Sequence, residues 1–320
     1  MSTNITNPNR PLRLPEPLPH IAALAPYQQG KSASTGKVEP IKLSSNECCF
    51  GPSPAAIEAY RAIAEQLHRY PDGSQWQLRE AIADEYGIDA NRIVCGNGSE
   101  EVIGLLIRCY VGLGDELLLP ENHFVMCSIY GEGQGADIVL APERDHAIDI
   151  DEILSRVSDK TRMIAIASPN NPTGTYVPRD ELLRLIDIVP SDVIILLDGA
   201  YAQYVSAADY DAGFDWADER DNVFVTHTFS KIYGLAGLRI GWGYGPAAIV
   251  ETVNRLRTPF NANAPALAAA TAAVKDRQFV ERVKEHTHRW QLRIRDELGQ
   301  LGIHVVPSEA NFYLLHFERL

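Results

Sequence analysis

The chain has 320 residues, 45% of them hydrophobic and 22% charged, with a net charge of −13. This composition is that of a globular protein large enough to bury its core without staples, in two domains or one with an appendage. The acidic balance argues against nucleic acid and anionic membranes as partners, while leaving room for a local basic pocket. Five cysteines, an odd number without metal-ligand spacing, read as reduced thiols in a cytoplasm. No apolar run reaches membrane length and no signal peptide opens the chain.

In chain order, prolines at 8, 11, 15, 17 and 19 predict an extended arm. A helical turn is expected over Ile21–Tyr27, then a polar stretch 28–40 and a short strand over Ile41–Ser44. A Gly/Pro loop through Asn46 leads to Ser53, which can cap a helix over 54–67 with Pro54 at its first position. A second helix over Gln77–Tyr86 ends at Gly87. From there short apolar strands alternate with helices. The strands are Arg92–Cys95, Glu116–Pro120, Ile138–Leu140, Met163–Ala167, Val193–Leu197, Val223–Thr228 and Ile240–Tyr244. The helices between them cover Glu101–Tyr110, Met126 to about Gly133, Ile150–Val157 and Arg179–Ile188. That alternation predicts an α/β fold with a mainly parallel sheet covered on both faces. A long helical region, 265–300, and two strands, His304–Val306 and Asn311–Phe317, predict a smaller domain.

Four polar turns fall at strand carboxyl ends, where open α/β sheets bind ligands. The most informative is Thr228-Phe229-Ser230-Lys231, followed by Gly234-Leu235-Ala236-Gly237-Leu238-Arg239. A lysine in so apolar a run is either a snorkelling side chain or a desolvated amine able to form a Schiff base. Thr228, Ser230 and Arg239 can bind a phosphate. A Schiff-base lysine beside a phosphate site points to pyridoxal 5'-phosphate (PLP). Asp198, closing a wholly apolar strand, can face a protonated pyridine nitrogen or make a structural ion pair. Asn171 and Tyr201 can donate to a ring oxygen; each alone also reads as an ordinary turn asparagine and core tyrosine. Gly98-Ser99-Glu100 opens a helix whose free N–H groups attract phosphate. Phe124 can stack on a planar ring or belong to the core. Tyr70 lies in a sharp break and can reach a neighbouring subunit. No serine-hydrolase elbow, zinc-protease pair, Walker loop or dinucleotide fingerprint competes.

The chain carries, in order, Ala25-Pro26-Tyr27-Gln28, Asn46-Glu47 with Gly51-Pro52-Ser53-Pro54, Arg69-Tyr70-Pro71-Asp72-Gly73 and Gly96-Asn97-Gly98-Ser99-Glu100-Glu101. Ser168-Pro169-Asn170-Asn171-Pro172-Thr173-Gly174, Asp198-Gly199-Ala200-Tyr201 and the lysine motif follow. From about Leu24 to Phe317 this series resembles the fold-type I PLP-dependent aminotransferases, and among them the histidinol-phosphate aminotransferase family. The resemblance implies a large PLP-binding domain over 46–260. It also implies a small α+β domain from an N-terminal segment, 1–45, and a C-terminal one, 261–320. It implies that Lys231 forms the Schiff base, Asp198 pairs with the pyridinium, and Asn171 and Tyr201 contact the ring oxygen. The phosphate would be held by Gly98, Ser99, Glu100, Thr228, Ser230 and Arg239. Phe124 would stack on the ring, and Tyr70 would come from the partner of a homodimer. Tyr27 and Asn46 would line the substrate pocket. The implied reaction is transamination between L-histidinol phosphate and 2-oxoglutarate, with glutamate and 2-oxoglutarate as the usual amino donor and acceptor pair.

Two departures stand out. Gly199 replaces the glutamate common in the family. The family also continues past Asn311-Phe312 by roughly one helix and two strands, which carry two arginines for the substrate's anionic groups. The expectation is a chain cut short at Leu320, its C-terminal domain incomplete. Alternatives on the same fold are an aromatic aminotransferase or a threonine-phosphate decarboxylase. A PLP-binding protein without transaminase activity is a third.

Overall fold

The computed structural model describes residues 16–27 and 41–317. The proline arm before residue 16, the polar stretch 28–40 and the chain end at 318–320 lie outside the described residues. A short helix α1 (Pro19–Ala23) precedes α2 (Pro54–Ala62) and α3 (Trp76–Tyr86). The alternating part runs β1 (Ile93–Gly96), α4 (Ser99–Tyr110), β2 (Glu116–Pro120), α5 (Met126–Gly133) and β3 (Asp137–Ala141). A small hairpin, β4 (Glu143–Arg144) with β5 (Ala147–Ile148), leads to α6 (Ile150–Leu154) and β6 (Thr161–Ala167). Then come α7 (Arg179–Ile188), β7 (Ile194–Asp198), α8 (Phe214–Glu219), β8 (Val223–Thr228), β9 (Gly241–Tyr244) and α9 (Ala247–Leu256). The chain finishes with α10 (Ala264–Lys275), α11 (Arg277–Gln300), β10 (His304–Val305) and β11 (Leu315–His316).

Local chemistry explains most of these boundaries. The Ser53 hydroxyl accepts from the Ala56 N–H and Pro54 opens α2, satisfying one orphan donor and placing proline where its missing N–H costs nothing. Gly87, at φ +69°, ends α3 in a conformation that other residues resist. The strands are apolar on both faces because both faces are covered. Along β7, Ile195 and Leu197 join the cluster under α6, α7 and α8, whereas Ile194 and Leu196 join the cluster under α4, α5 and α9.

Seven strands form one sheet in the order β1-β9-β8-β7-β6-β2-β3. All pairs are parallel except those of β9, which runs antiparallel to both β8 and β1. The carboxyl ends of β1, β6, β7 and β8 therefore open at one edge of the sheet.

Three sequence expectations are corrected. Ile41–Ser44 forms no strand; Ile41 and Leu43 are 87% and 84% exposed, with no neighbouring strand to pair their backbone. The strand expected over Asn311–Phe317 shrinks to Leu315–His316, paired only with β10. The helical region 265–300 is two helices, because Asp276 turns out of the helix and caps the next one through the Phe279 N–H. Among the described residues no helix is long and apolar enough to cross a membrane, and no group of three or more His, Cys, Asp or Glu could hold a metal ion.

Candidate active site

A cavity of about 460 Å³ lies at the carboxyl edge of the sheet. It is lined by residues from the end of β7 (Asp198, Ala200, Tyr201), the end of β8 (Thr228, Ser230, Lys231), the start of α4 (Ser99, Glu100) and the loops at Phe124 and Asn171. Arg239 closes one end, and Lys42, Ser45 and Glu47 of the segment before α2 close the other. The topology thus brings residues spread over almost two hundred positions to one place.

Lys231 is largely buried, and its Nζ donates to the Ser45 carbonyl at 3.0 Å. Burial pulls its pKa down to about 8, an effect partly offset by the Glu47 carboxylate. The amine therefore has a sizeable neutral fraction near physiological pH, as a nucleophile requires. Asp198 shows the opposite shift. Burial pushes its carboxyl up to about 6, against a Thr226 hydroxyl that donates to Oδ1 at 3.0 Å and the Ala200 N–H. A carboxylate in that position is stabilised by any cation that enters. The Tyr201 phenol is buried and pushed up to about 12, so it stays protonated. It accepts from Asn46 Nδ2 at 3.0 Å, which leaves its own proton free to donate.

The other end of the cavity is built for an anion. The N-terminus of α4, a twelve-residue helix, opens onto it. The Thr228 hydroxyl donates to Ser230 Oγ at 3.0 Å and accepts from the Ser230 N–H at 3.1 Å. Arg239 Nη1 lies 3.4 Å from Ser230 Oγ, and Nη2 lies 3.6 Å from Glu100. Gly241 is the residue that lets these parts meet. A Cβ there would stand 2.1 Å from the Ser99 backbone nitrogen, so only glycine lets α4 start against β9. Gly98 precedes α4 at φ +87°, with the Arg239 guanidinium where a Cβ would be.

These residues fit PLP by their donor set. An anion cradle, a buried carboxylate in need of a cation and a desolvated amine share one cavity of small-molecule size. Of the residues singled out from sequence, Ser99, Glu100, Phe124, Asn171, Asp198, Tyr201, Thr228, Ser230, Lys231 and Arg239 all face this cavity. Asn46 stands behind it, against Tyr201. Tyr27 does not reach it: it is 56% exposed, following α1, which packs on α5. Tyr70 is 83% exposed and stacks on Phe260, ring centroids 4.7 Å apart, away from its own chain's cavity. Lys42, Ser45 and Glu47 went unread as site residues. Loop residues carry no periodic signal, and only the motif around Asn46-Glu47 hinted at them.

The family model for aminotransferase class I and II matches residues 38–319. The chain is 48% identical to a histidinol-phosphate aminotransferase of Rhodopseudomonas palustris (strain HaA2) over 95% of its own length and 83% of the relative's. It is equally similar, over the same shares, to one from Nitrobacter hamburgensis. Among solved structures, the histidinol-phosphate aminotransferase of Sinorhizobium meliloti in complex with pyridoxal-5'-phosphate superposes with a TM-score of 0.80 at 26% identity. That match covers 85% of this chain and 74% of that one. The aspartate aminotransferase of Thermus thermophilus with maleate shares the fold at a TM-score of 0.78 and 20% identity, covering 85% and 76%. By sequence and by fold, the chain belongs to the class I and II aminotransferases, on the branch of the histidinol-phosphate aminotransferases.

Proposed function

We propose that this protein transfers an amino group between L-histidinol phosphate and 2-oxoglutarate with PLP held in the cavity, as a cytoplasmic homodimer. The observation that carries the reading is geometric: the Lys231 amine, the Asp198 carboxyl and the anion cradle of Ser99, Thr228, Ser230 and Arg239 line one cavity, where burial favours the neutral amine. Relatives 48% identical over 95% of the chain support the choice of substrate.

When bound, PLP supplies an aldehyde that condenses with amines and an electron-poor ring that takes up the electron pair from the substrate Cα. Asp198 holds the ring nitrogen protonated, and its own ionised form is stabilised in return. The α4 N–H groups with Thr228, Ser230 and Arg239 hold the phosphate and fix the ring's position. Tyr201 and Asn171, which line the cavity, would donate to the cofactor's ring oxygen, and Phe124 would stack on its ring. With PLP bound, Lys231 Nζ would take the proton from the substrate Cα as general base and, as general acid, would hand it to the carbon of the cofactor's former aldehyde. Glu47 and Lys42, paired at 2.9 Å, bring opposite charges to the cavity wall that a substrate would meet. The same reading gives 46–260 to the cofactor domain and the segments 1–45 and 261–320 to a smaller one, although α10 packs on α2 and α3.

Lys231→Ala should abolish both turnover of histidinol phosphate and the visible absorption of the lysine-bound cofactor, a loss of at least about a thousandfold in kcat for a group acting as nucleophile and proton carrier. A variant that keeps both would refute the assignment. A wild-type protein that binds PLP but aminates only aromatic keto acids would refute the substrate.

A further inference from the structure

Behind the sheet, on the face away from the cavity, lies a buried polar chain that the reaction as described does not use. Thr226 and Thr228 point toward the cavity side, and His227, between them on β8, points to the opposite face. Its ring is 1% exposed and packs against both Phe214 and Trp242, with centroids 5.1 and 4.9 Å away and planes within 22° and 20°. Burial holds it neutral, with a pKa near 3. Gln203 Nε2 approaches His227 Nδ1 at 3.2 Å and donates to the Tyr86 oxygen at 2.9 Å; that oxygen is 3.0 Å from the Tyr233 hydroxyl. The chain therefore joins the turn after Asp198 to the segment just past Lys231.

Gly199 completes the arrangement. It follows Asp198 and its N–H continues the ladder to the Thr226 carbonyl at 2.8 Å. A Cβ at Gly199 would meet His227 Cε1 at 2.6 Å and both ring nitrogens within 3.1 Å. Its φ lies outside the left-handed region, so the imidazole and not the backbone conformation demands glycine. Two buried polar atoms within this hydrogen-bonded group, Gln203 Oε1 and His227 Nε2, have no protein partner. Apolar side chains of the same shape would remove that cost, so packing alone does not account for a polar pair here.

We propose that Gln203 and His227 are positioning residues. Their contact pins the Gly199–Tyr204 turn to the far face of the sheet and so fixes the Asp198 carboxylate and Tyr201 phenol that face the cofactor. The inference rests on the cofactor reading above. The test uses the full chain loaded with PLP and reads the cofactor's dissociation constant and the pH midpoint of its visible absorption, with thermal midpoint as a check on folding. His227→Phe keeps the aromatic stack and removes the contact; Gln203→Leu removes it from the other side. Each should weaken PLP about tenfold and move the absorption midpoint, and the double variant should be no weaker than either single one. His227→Asn, whose amide can replace Nδ1, should bind within about twofold of wild type. Wild-type affinity in both single variants, multiplied losses in the double variant, or His227→Asn no better than His227→Phe would overturn the proposal. Should His227→Phe fail to fold, Gln203→Leu decides, since it leaves the stack intact. Failure of the wild-type chain to bind PLP would instead overturn the cofactor reading.

Discussion

Asp198 and Lys231 are both kept in unfavourable charge states, and the sign of each effect can be worked out. The folded protein holds the Asp198 proton up to about pH 6, whereas an ordinary aspartate loses it near 3.8. The native state then binds more protons across that window, and the stability of the cofactor-free protein falls as pH rises through it. Lys231 acts at higher pH. Its burial cost is complete below about pH 8 and disappears as pH rises toward 10.5, where the unfolded chain also loses the proton. Asp198→Asn should therefore raise the stability of the cofactor-free protein at pH 7 by about 1–2 kcal/mol, discounted from the full shift because the residue is partly open to the cavity. The gain should vanish by pH 4, and PLP binding should weaken at least about tenfold. Chemical denaturation at the two pH values is the measurement, and a variant with the wild-type pH profile would show that Asp198 is not under this strain.

At the level of elements, the site depends on α4 starting hard against β9. Gly241→Ala would place a methyl 2.1 Å from the Ser99 nitrogen and 2.9 Å from the His227 carbonyl, both backbone atoms that cannot swing aside. We expect a loss of about 2 kcal/mol or more, with PLP affinity falling further than stability because the anion cradle is displaced. Gly237→Ala, whose Cβ would meet nothing within 4 Å, should be close to neutral. Equal denaturation midpoints for the two variants would contradict the packing argument. The strands and helices of the parallel part are legible in sequence because each is an uninterrupted apolar run or an amphipathic stretch closed by glycine, proline or a capping side chain. Helices α8 and α9 are not legible in the same way. Phe214–Glu219 is too short for a period to show, and α9 follows a glycine-rich strand through a single proline.

For the whole molecule, the stacked pair Tyr70 and Phe260 is exposed and lines no part of its own chain's cavity. In the proposed dimer this surface meets the partner, and the Tyr70 hydroxyl completes the partner's phosphate site. Mixing Tyr70→Phe with Lys231→Ala chains tests it. Each is impaired alone, but a mixed dimer holds one site with both Lys231 and Tyr70 intact. Two-fold symmetry then predicts recovery of about a quarter of wild-type activity after random reassortment. Sedimentation at a monomer mass, or no recovery on mixing, would remove the partner's tyrosine from the site.

The sequence by itself determined the alternating order of most strands and helices, the sheet's covered faces and which lysine, aspartate and hydroxyls stand at strand ends. Those features are local, since strand ends and helix starts are written in neighbouring residues. Only the tertiary structure decided that β9 runs against its neighbours, that Lys42, Ser45 and Glu47 close the cavity, and that His227 explains Gly199. Each of these is a contact between residues distant in the chain. Desolvation follows the same rule: the shifted protons on Asp198 and Lys231 exist because the folded sheet and the segment before α2 exclude water from both.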